Sequence, residues 1–238
     1  MKAIILAAGE DNELGNLHRE ITPKCLIEIG GKTLLERQIE TLNSCGISSD
    51  DIVVVIGGKG EAWSKKNQEK GKRITKNIII NNDNIEKNQS YSLLLALEKI
   101  DETMLCIDGD TIFKKGIIGK IINSKYSSVL LAREGEITEK RLRILTQQDK
   151  VLEIGKEVKS DKIYTPLLKF DSIFVRALKQ ELKRGIYFSF TIDVPINALC
   201  KFYPIYSVSI PYKNWLVELP TLNINTPNDY KKAQEMFK

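Results

Sequence analysis

Apolar runs and helix-period segments alternate along the first half of the chain. Ala3 to Leu6 reads as a buried strand, Leu34 to Leu42 carries apolar residues at helical spacing, and Ile52 to Ile56 is a second strand closed by Gly57-Gly58. The rhythm continues with a polar helix over Glu61 to Lys70, a strand over Asn77 to Ile80 and an amphipathic helix over Ser90 to Ile100. A strand over Met104 to Ile107 then runs into Asp108-Gly109-Asp110. This alternation, sustained to about Asn123, predicts βαβ units: an α/β chain folded as a three-layer α/β/α sandwich around a Rossmann-like, mostly parallel sheet.

From Ser127 the period changes. Val129 to Ala132, Arg143 to Thr146, Val151 to Ile154 and Ile163 to Phe170 are short strands with few helices between them, which predicts an antiparallel or mixed extension of the sheet. Helices over Ser172 to Lys183 and Thr191 to Phe202 precede strands at Ile205 to Ile210 and Thr221 to Ile224. Pro227 opens a last helix at its favoured first-turn position.

Composition narrows the function classes. The chain has 238 residues, 42% hydrophobic, enough for one α/β domain with a large core. Its charge of +5 is a mild excess of 36 basic over 31 acidic residues, without a basic arm, which suits a protein handling anionic small molecules. The densest basic stretch, Lys65 to Arg73, is broken by Asn67, Gln68, Glu69 and Gly71 and reads as a solvated helix face, so no nucleic-acid partner is expected. Cys25, Cys45, Cys106 and Cys200 are scattered, and His18 is the only histidine, so neither a zinc cage nor a redox motif can be assembled. No segment reads as a signal peptide or a membrane span, and a cytoplasmic protein is the expectation.

Ligands of open α/β sheets bind beyond the carboxyl ends of the strands, and three polar features fall there. Leu6-Ala7-Ala8-Gly9 ends the first strand with side chains small enough for backbone N–H groups to approach phosphates, and Lys24 follows Pro23 farther along. A tight turn with no ligand has the same sequence. Asp108-Gly109-Asp110 offers two carboxylates of the kind Mg²⁺ takes, Gly109 letting both acids face the crevice; the competing reading is an ordinary turn. In Asn223-Ile224-Asn225-Thr226-Pro227, Asn225 or Asn223 can place an amide oxygen near the same metal. Asn225 or Thr226 can equally cap the helix that Pro227 opens.

Taken in order, Leu6-Ala7-Ala8-Gly9, Thr22-Pro23-Lys24-Cys25-Leu26, Gly31-Lys32, Leu34 to Ile39 and Asp108-Gly109-Asp110 resemble the sugar-phosphate nucleotidyltransferase superfamily. Asn88-Gln89-Ser90-Tyr91-Ser92-Leu93 looks like the Asn-x-x-Tyr-Ser-Leu segment of phosphocholine and inositol-phosphate cytidylyltransferases. The likeness covers nearly the whole chain and is strong up to about Phe113. It implies the nucleotide-diphospho-sugar transferase type of fold and transfer of a nucleotidyl group, CMP favoured, from a nucleoside triphosphate to a phosphorylated sugar, polyol or amino-alcohol. Pyrophosphate is released, and Mg²⁺ is the cofactor.

By the same resemblance Leu6, Ala7, Ala8 and Gly9 hold the nucleotide with Asn82, Ser92 and Asp108. Lys24 neutralises its phosphates, and Asp110, with Asn225, holds the metal. On the acceptor side Lys156 looks like a lysine that meets the acceptor phosphate in some members, though it also reads as a solvated hairpin lysine. Asp193, Trp215 and Glu218 can enclose an amine, while core packing explains most of the aromatic candidates (Tyr164, Tyr187, Phe188, Phe190, Tyr212). Residues 1–126 form the nucleotide- and metal-binding half of one domain and 127–238 the acceptor-binding half, in a monomer or homodimer.

The chain departs from the family where Glu10-Asp11-Asn12-Glu13 replaces the usual glycine and phosphate-binding arginine, crowding an anion site with acids. A carboxylate about 4 Å from a phosphate charge costs roughly 1 to 4 kcal/mol at surface-like dielectric, and Arg19, His18 or the metal are the candidates to compensate. Asn225 also stands where members often have an acid. An active transferase and a catalytically weakened binding subunit therefore both remain open.

Overall fold

The computed structural model of the chain describes residues 1–9, 22–134, 141–211 and 221–237. The acidic run Glu10 to Glu13, His18, Arg19, Tyr212, Trp215 and Glu218 lie outside the described residues.

The apolar runs pair into a nine-stranded sheet. β1 (Lys2–Ala7) lies at its switch point, with β4 (Ile52–Gly57) and then β5 (Ile78–Asn81) on one side and β6 (Met104–Asp108) on the other, all parallel. Both faces of β1 are buried, as parallel strands require. Ala3, Ile5 and Ala7 pack toward α1 (Leu34–Ser44) and α4 (Lys115–Ile122), whereas Ile4 and Leu6 join the core under α3 (Gln89–Leu97), α5 (Ser172–Lys183) and α6 (Asp193–Leu199). The result is the three-layer arrangement that the alternation predicts.

The second half extends the sheet in mixed fashion. β11 (Lys162–Phe170) is antiparallel to β6 and to β8 (Val129–Glu134); β12 (Tyr206–Ile210) runs parallel to β8; and the β9–β10 hairpin (Arg143–Gln147, Lys150–Gly155) closes the far edge. The β11–β8 register shifts between Thr165 and Leu168, around Pro166, which has no N–H to give a ladder.

Several elements differ from the expectation. α2 spans Lys65–Ile74 because Ser64 caps it, accepting from Asn67 N, about one turn later than hydropathy suggests. α4 was hidden by Gly116 and Gly119, which lower helix propensity although Ile118 and Ile121 are buried. The hairpin β2 (Glu28–Ile29) and β3 (Lys32–Thr33) turns on Gly30 and Gly31, both at positive φ (55° and 77°). β13 (Thr221–Asn223) does not join the main sheet but pairs antiparallel with β7 (Thr111–Phe113), and α7 (Pro227–Met236) follows it.

Candidate active site

The turn after β1 and the turn after β6 fit together through the absence of side chains. Gly109 N donates to Leu6 O at 2.7 Å, and a Cβ on Gly109 would lie 2.6 Å from the Ala7 Cβ. Gly109 has no positive φ, so close approach rather than the sharp turn expected from sequence explains it. At the end of the Leu6 to Gly9 turn, the buried Trp63 indole donates Nε1–H to Gly9 O at 3.2 Å.

Lys24 comes from a single 3₁₀ turn, Lys24–Leu26, and is 9% exposed. Its Nζ donates to Asn225 Oδ1 at 2.6 Å and lies 3.9 Å from Asp110 Oδ2. The two readings of the Asn225 segment are divided between neighbours: Thr226 caps α7 in a reciprocal box with Asp229, while the Asn225 side chain turns to Lys24. Ile224 N donates to Asp110 O at 2.9 Å, which ties β13 to the acidic turn. From behind, the buried Gln38 of α1 donates both amide hydrogens, to Asp108 O and Thr111 O, each at 2.7 Å. The acidic turn is thus held by α1, β1 and β13.

Asp108 faces the other way from Asp110's lysine. Its Oδ1 accepts from Gln89 Nε2, and Gln89 Oε1 accepts from Ile192 N at 3.3 Å, so Gln89 joins the acid to the start of α6. Burial first, then the neighbouring charges of Asp110 and Asp193, push the Asp108 carboxyl well above the usual carboxylate range, against the pull of the Gln89 hydrogen bond. Burial likewise raises the Tyr164 hydroxyl, with Asp108 and Asp193 adding to it.

A cavity of about 340 Å³ opens between these elements. Leu6, Ala7, Ala8, Gly9, Lys24, Ser92, Asp108 and Asp110 line it, all of them residues singled out from the sequence. Asn225 does not line it but accepts a hydrogen bond from Lys24, which does. Asp193 is buried in the first turn of α6, near enough for its charge to act on Asp108, and does not line the cavity. Asn82 is exposed, with its amide oxygen beside Gly58, and Lys156 is exposed after the end of β10; neither lines the cavity.

Sequence reasoning missed Gln89, Asn84, Lys87 and Thr191, which line the cavity as well, together with Cys25, Asn88 and Gly109. Gln89 lay at an unspecified position of the Asn-x-x-Tyr-Ser-Leu segment, so that motif was the signal that pointed near it. Lys87 pairs with Asp83 at 2.8 Å and stands 4.0 Å over the Tyr91 ring, which is edge-on to Phe188 at 4.9 Å between centroids.

Among the described residues no group of three or more His, Cys, Asp or Glu could hold a metal ion. A cation caged wholly by protein ligands does not fit this donor set. One held through one or two carboxylates and completed by phosphates and water does fit, because Asp108 and Asp110 both line the cavity.

Residues 3–180 match the family described as the MobA-like NTP transferase domain, and the chain belongs to this family of nucleotidyltransferases. It is 28% identical over 238 residues to the bifunctional IPC transferase and DIPP synthase of Aquifex aeolicus, over 98% of this chain and 51% of that protein. It is 28% identical over 239 residues to the choline-phosphate cytidylyltransferase of Streptococcus pneumoniae, over 100% of this chain and 99% of that protein. The chain thus spans about half the length of the first relative and nearly all of the second. The solved CTP:phosphocholine cytidylyltransferase of Streptococcus pneumoniae superimposes with a TM-score of 0.75 at 22% identity, covering 100% of this chain and 99% of that one, which shows the common fold.

Proposed function

We propose that the chain transfers a nucleotidyl group, CMP by preference, from a nucleoside triphosphate to the phosphate of a small phosphorylated alcohol, amino-alcohol or sugar, with Mg²⁺ as cofactor. A phosphate oxygen of the acceptor attacks the α-phosphorus in line, the bond from that phosphorus to the bridging oxygen breaks, and pyrophosphate leaves. Such a step needs positioning and charge neutralisation more than covalent help.

The observation that carries this reading is Lys24, Asp110 and Asn225 brought together beside the Leu6 to Gly9 turn. Backbone N–H groups of that turn hold the phosphates, and Lys24 neutralises them. Asp110 with Asn225 would hold Mg²⁺, which when bound screens the phosphate charge. Ser92 meets the base. The acceptor lies toward the second half of the chain, where Asp193, Trp215, Glu218 and Lys156 are its candidate contacts. Preference for CMP follows from the similarity to the choline-phosphate cytidylyltransferase of Streptococcus pneumoniae.

A second reading, a nucleotide-binding subunit without turnover, is favoured by one observation. The Lys24 ammonium already stands between Asn225 and Asp110, so its charge is partly engaged before any ligand arrives.

Pyrophosphate release with Mg²⁺, measured for the four ribonucleoside triphosphates and dTTP against a panel of phosphorylated sugars, polyols and amino-alcohols, separates the two. Turnover with one pair, lost in Asp110→Ala, establishes the transferase. Nucleotide binding by calorimetry with no turnover for any pair establishes the second reading.

A further inference from the structure

Gly9 ends the turn after β1 and lines the cavity, yet neither backbone nor packing calls for a glycine there. Its φ is not positive, and a Cβ on it would meet nothing within 4 Å. A glycine in open space keeps the widest backbone freedom of any residue. Among the described residues it makes one hydrogen bond, its carbonyl oxygen accepting the Trp63 Nε1–H at 3.2 Å.

The segment that carries Trp63 is shaped to bring the indole to that oxygen. β4 runs beside β1 with Ile56 opposite Ala7, so the chain leaves β4 at Gly57 next to the turn. A Cβ on Gly57 would lie 2.6 Å from Trp63 Nε1, and the missing side chain is what admits the ring. Asn67 Nδ2 donates to Ala62 O at 2.7 Å and Gln68 Nε2 to Trp63 O at 2.8 Å, so α2 holds the backbone on either side of the residue. The side chain is 1% exposed and does not line the cavity; any effect it has on a ligand passes through Gly9.

A buried indole N–H needs an acceptor, and many carbonyls would serve. This one belongs to the wall that phosphates approach. A turn holds an anion through its N–H groups when its carbonyl oxygens are turned elsewhere, since an oxygen facing a phosphate repels it. Gly109 N takes Leu6 O at one end of the turn and Trp63 takes Gly9 O at the other. Both ends are thus pinned without a nucleotide, and a turn already in shape binds without the entropic cost of ordering it.

We infer that Trp63 is a positioning residue for the phosphates: its indole N–H holds the Gly9 carbonyl out of the cavity and keeps the turn in its anion-binding shape. This rests on the nucleotidyltransferase reading and adds to it a residue outside the strand-end motifs.

Trp63→Phe keeps a ring beside Gly57 and removes the donor. Calorimetry in the presence of Mg²⁺ with CTP, and with pyrophosphate, which has phosphates but no base, should show both ligands weakened by a similar factor of about three to ten, the range one neutral hydrogen bond is worth. The chain has two tryptophans, so on a Trp215→Phe background Trp63 supplies the single indole N–H resonance, and saturating pyrophosphate should shift it, because a phosphate on the turn polarises the carbonyl it donates to. Full affinity for both ligands in Trp63→Phe, with or without a fall in Tm, marks a packing role and overturns the inference. A loss for CTP with none for pyrophosphate overturns it as well, and both results leave the nucleotidyltransferase reading standing. If Trp63→Phe does not fold, an indole resonance that stays in place at saturating pyrophosphate overturns it. No binding of either ligand by the unmodified protein overturns the nucleotidyltransferase reading, and the inference with it.

Discussion

Lys24 donates to Asn225 Oδ1 at 2.6 Å although 201 positions separate the two residues. The neutral amide holds the ammonium in place without cancelling its charge, as a carboxylate at the same position would.

Removing that charge should slow the reaction without disturbing the fold. Lys24→Met is expected to reduce kcat by roughly 10²- to 10³-fold, the usual loss for one transition-state donor. Asn225→Asp should lower the Mg²⁺ concentration giving half-maximal rate, since a charged ligand binds the ion more tightly than an amide. Steady-state kinetics with varied Mg²⁺ checks both; an unchanged Mg²⁺ dependence in Asn225→Asp would remove Asn225 from the metal's surroundings.

Gly109→Ala tests the contact between the β1 and β6 turns. The added methyl meets Ala7 in a fixed backbone, so overpacking of about 1–3 kcal/mol is expected. Thermal unfolding should show a drop of several degrees for a chain of this length. A Tm within a degree of the unmodified protein would mean that the two turns can move apart.

Asp108 makes stability depend on pH. Its carboxyl titrates well above the unfolded value, so the folded state holds a proton that the unfolded chain releases. The stabilisation is complete below the unfolded pKa and is lost as pH rises toward the folded one. Asp108→Asn, which keeps an acceptor for Gln89, should therefore raise Tm at pH 7 to 8 in the absence of metal. The gain should shrink toward pH 4, and a gain constant with pH would show that the carboxyl titrates normally.

Gln38→Leu preserves size but removes the two donors that reach Asp108 O and Thr111 O. Each buried carbonyl left without its partner costs about 1–3 kcal/mol. Chemical denaturation should show the loss, with the slope against denaturant unchanged.

The sequence alone determined the alternation of strands and helices, the buried β1 and β6, and the acidic and small-residue turns at their ends. These are local properties: a period of 2 or 3.6 and a glycine at a strand end can be read without knowing what the segment touches. Local signals also misled. The glycines of α4 masked a helix whose buried isoleucines stabilise it, and Thr221 to Ile224 read as a strand without showing that its partner was β7.

Which distant groups meet is a property of the packed fold. Lys24 with Asn225, Gln38 with the acidic turn, Gln89 with Asp108 and Asn81 with Ser92 depend on strand order, register and the cap at Thr226. Periodicity records which side of an element is apolar. Which element covers that side follows from packing summed over the whole core, and that sum places the polar side chains of the site.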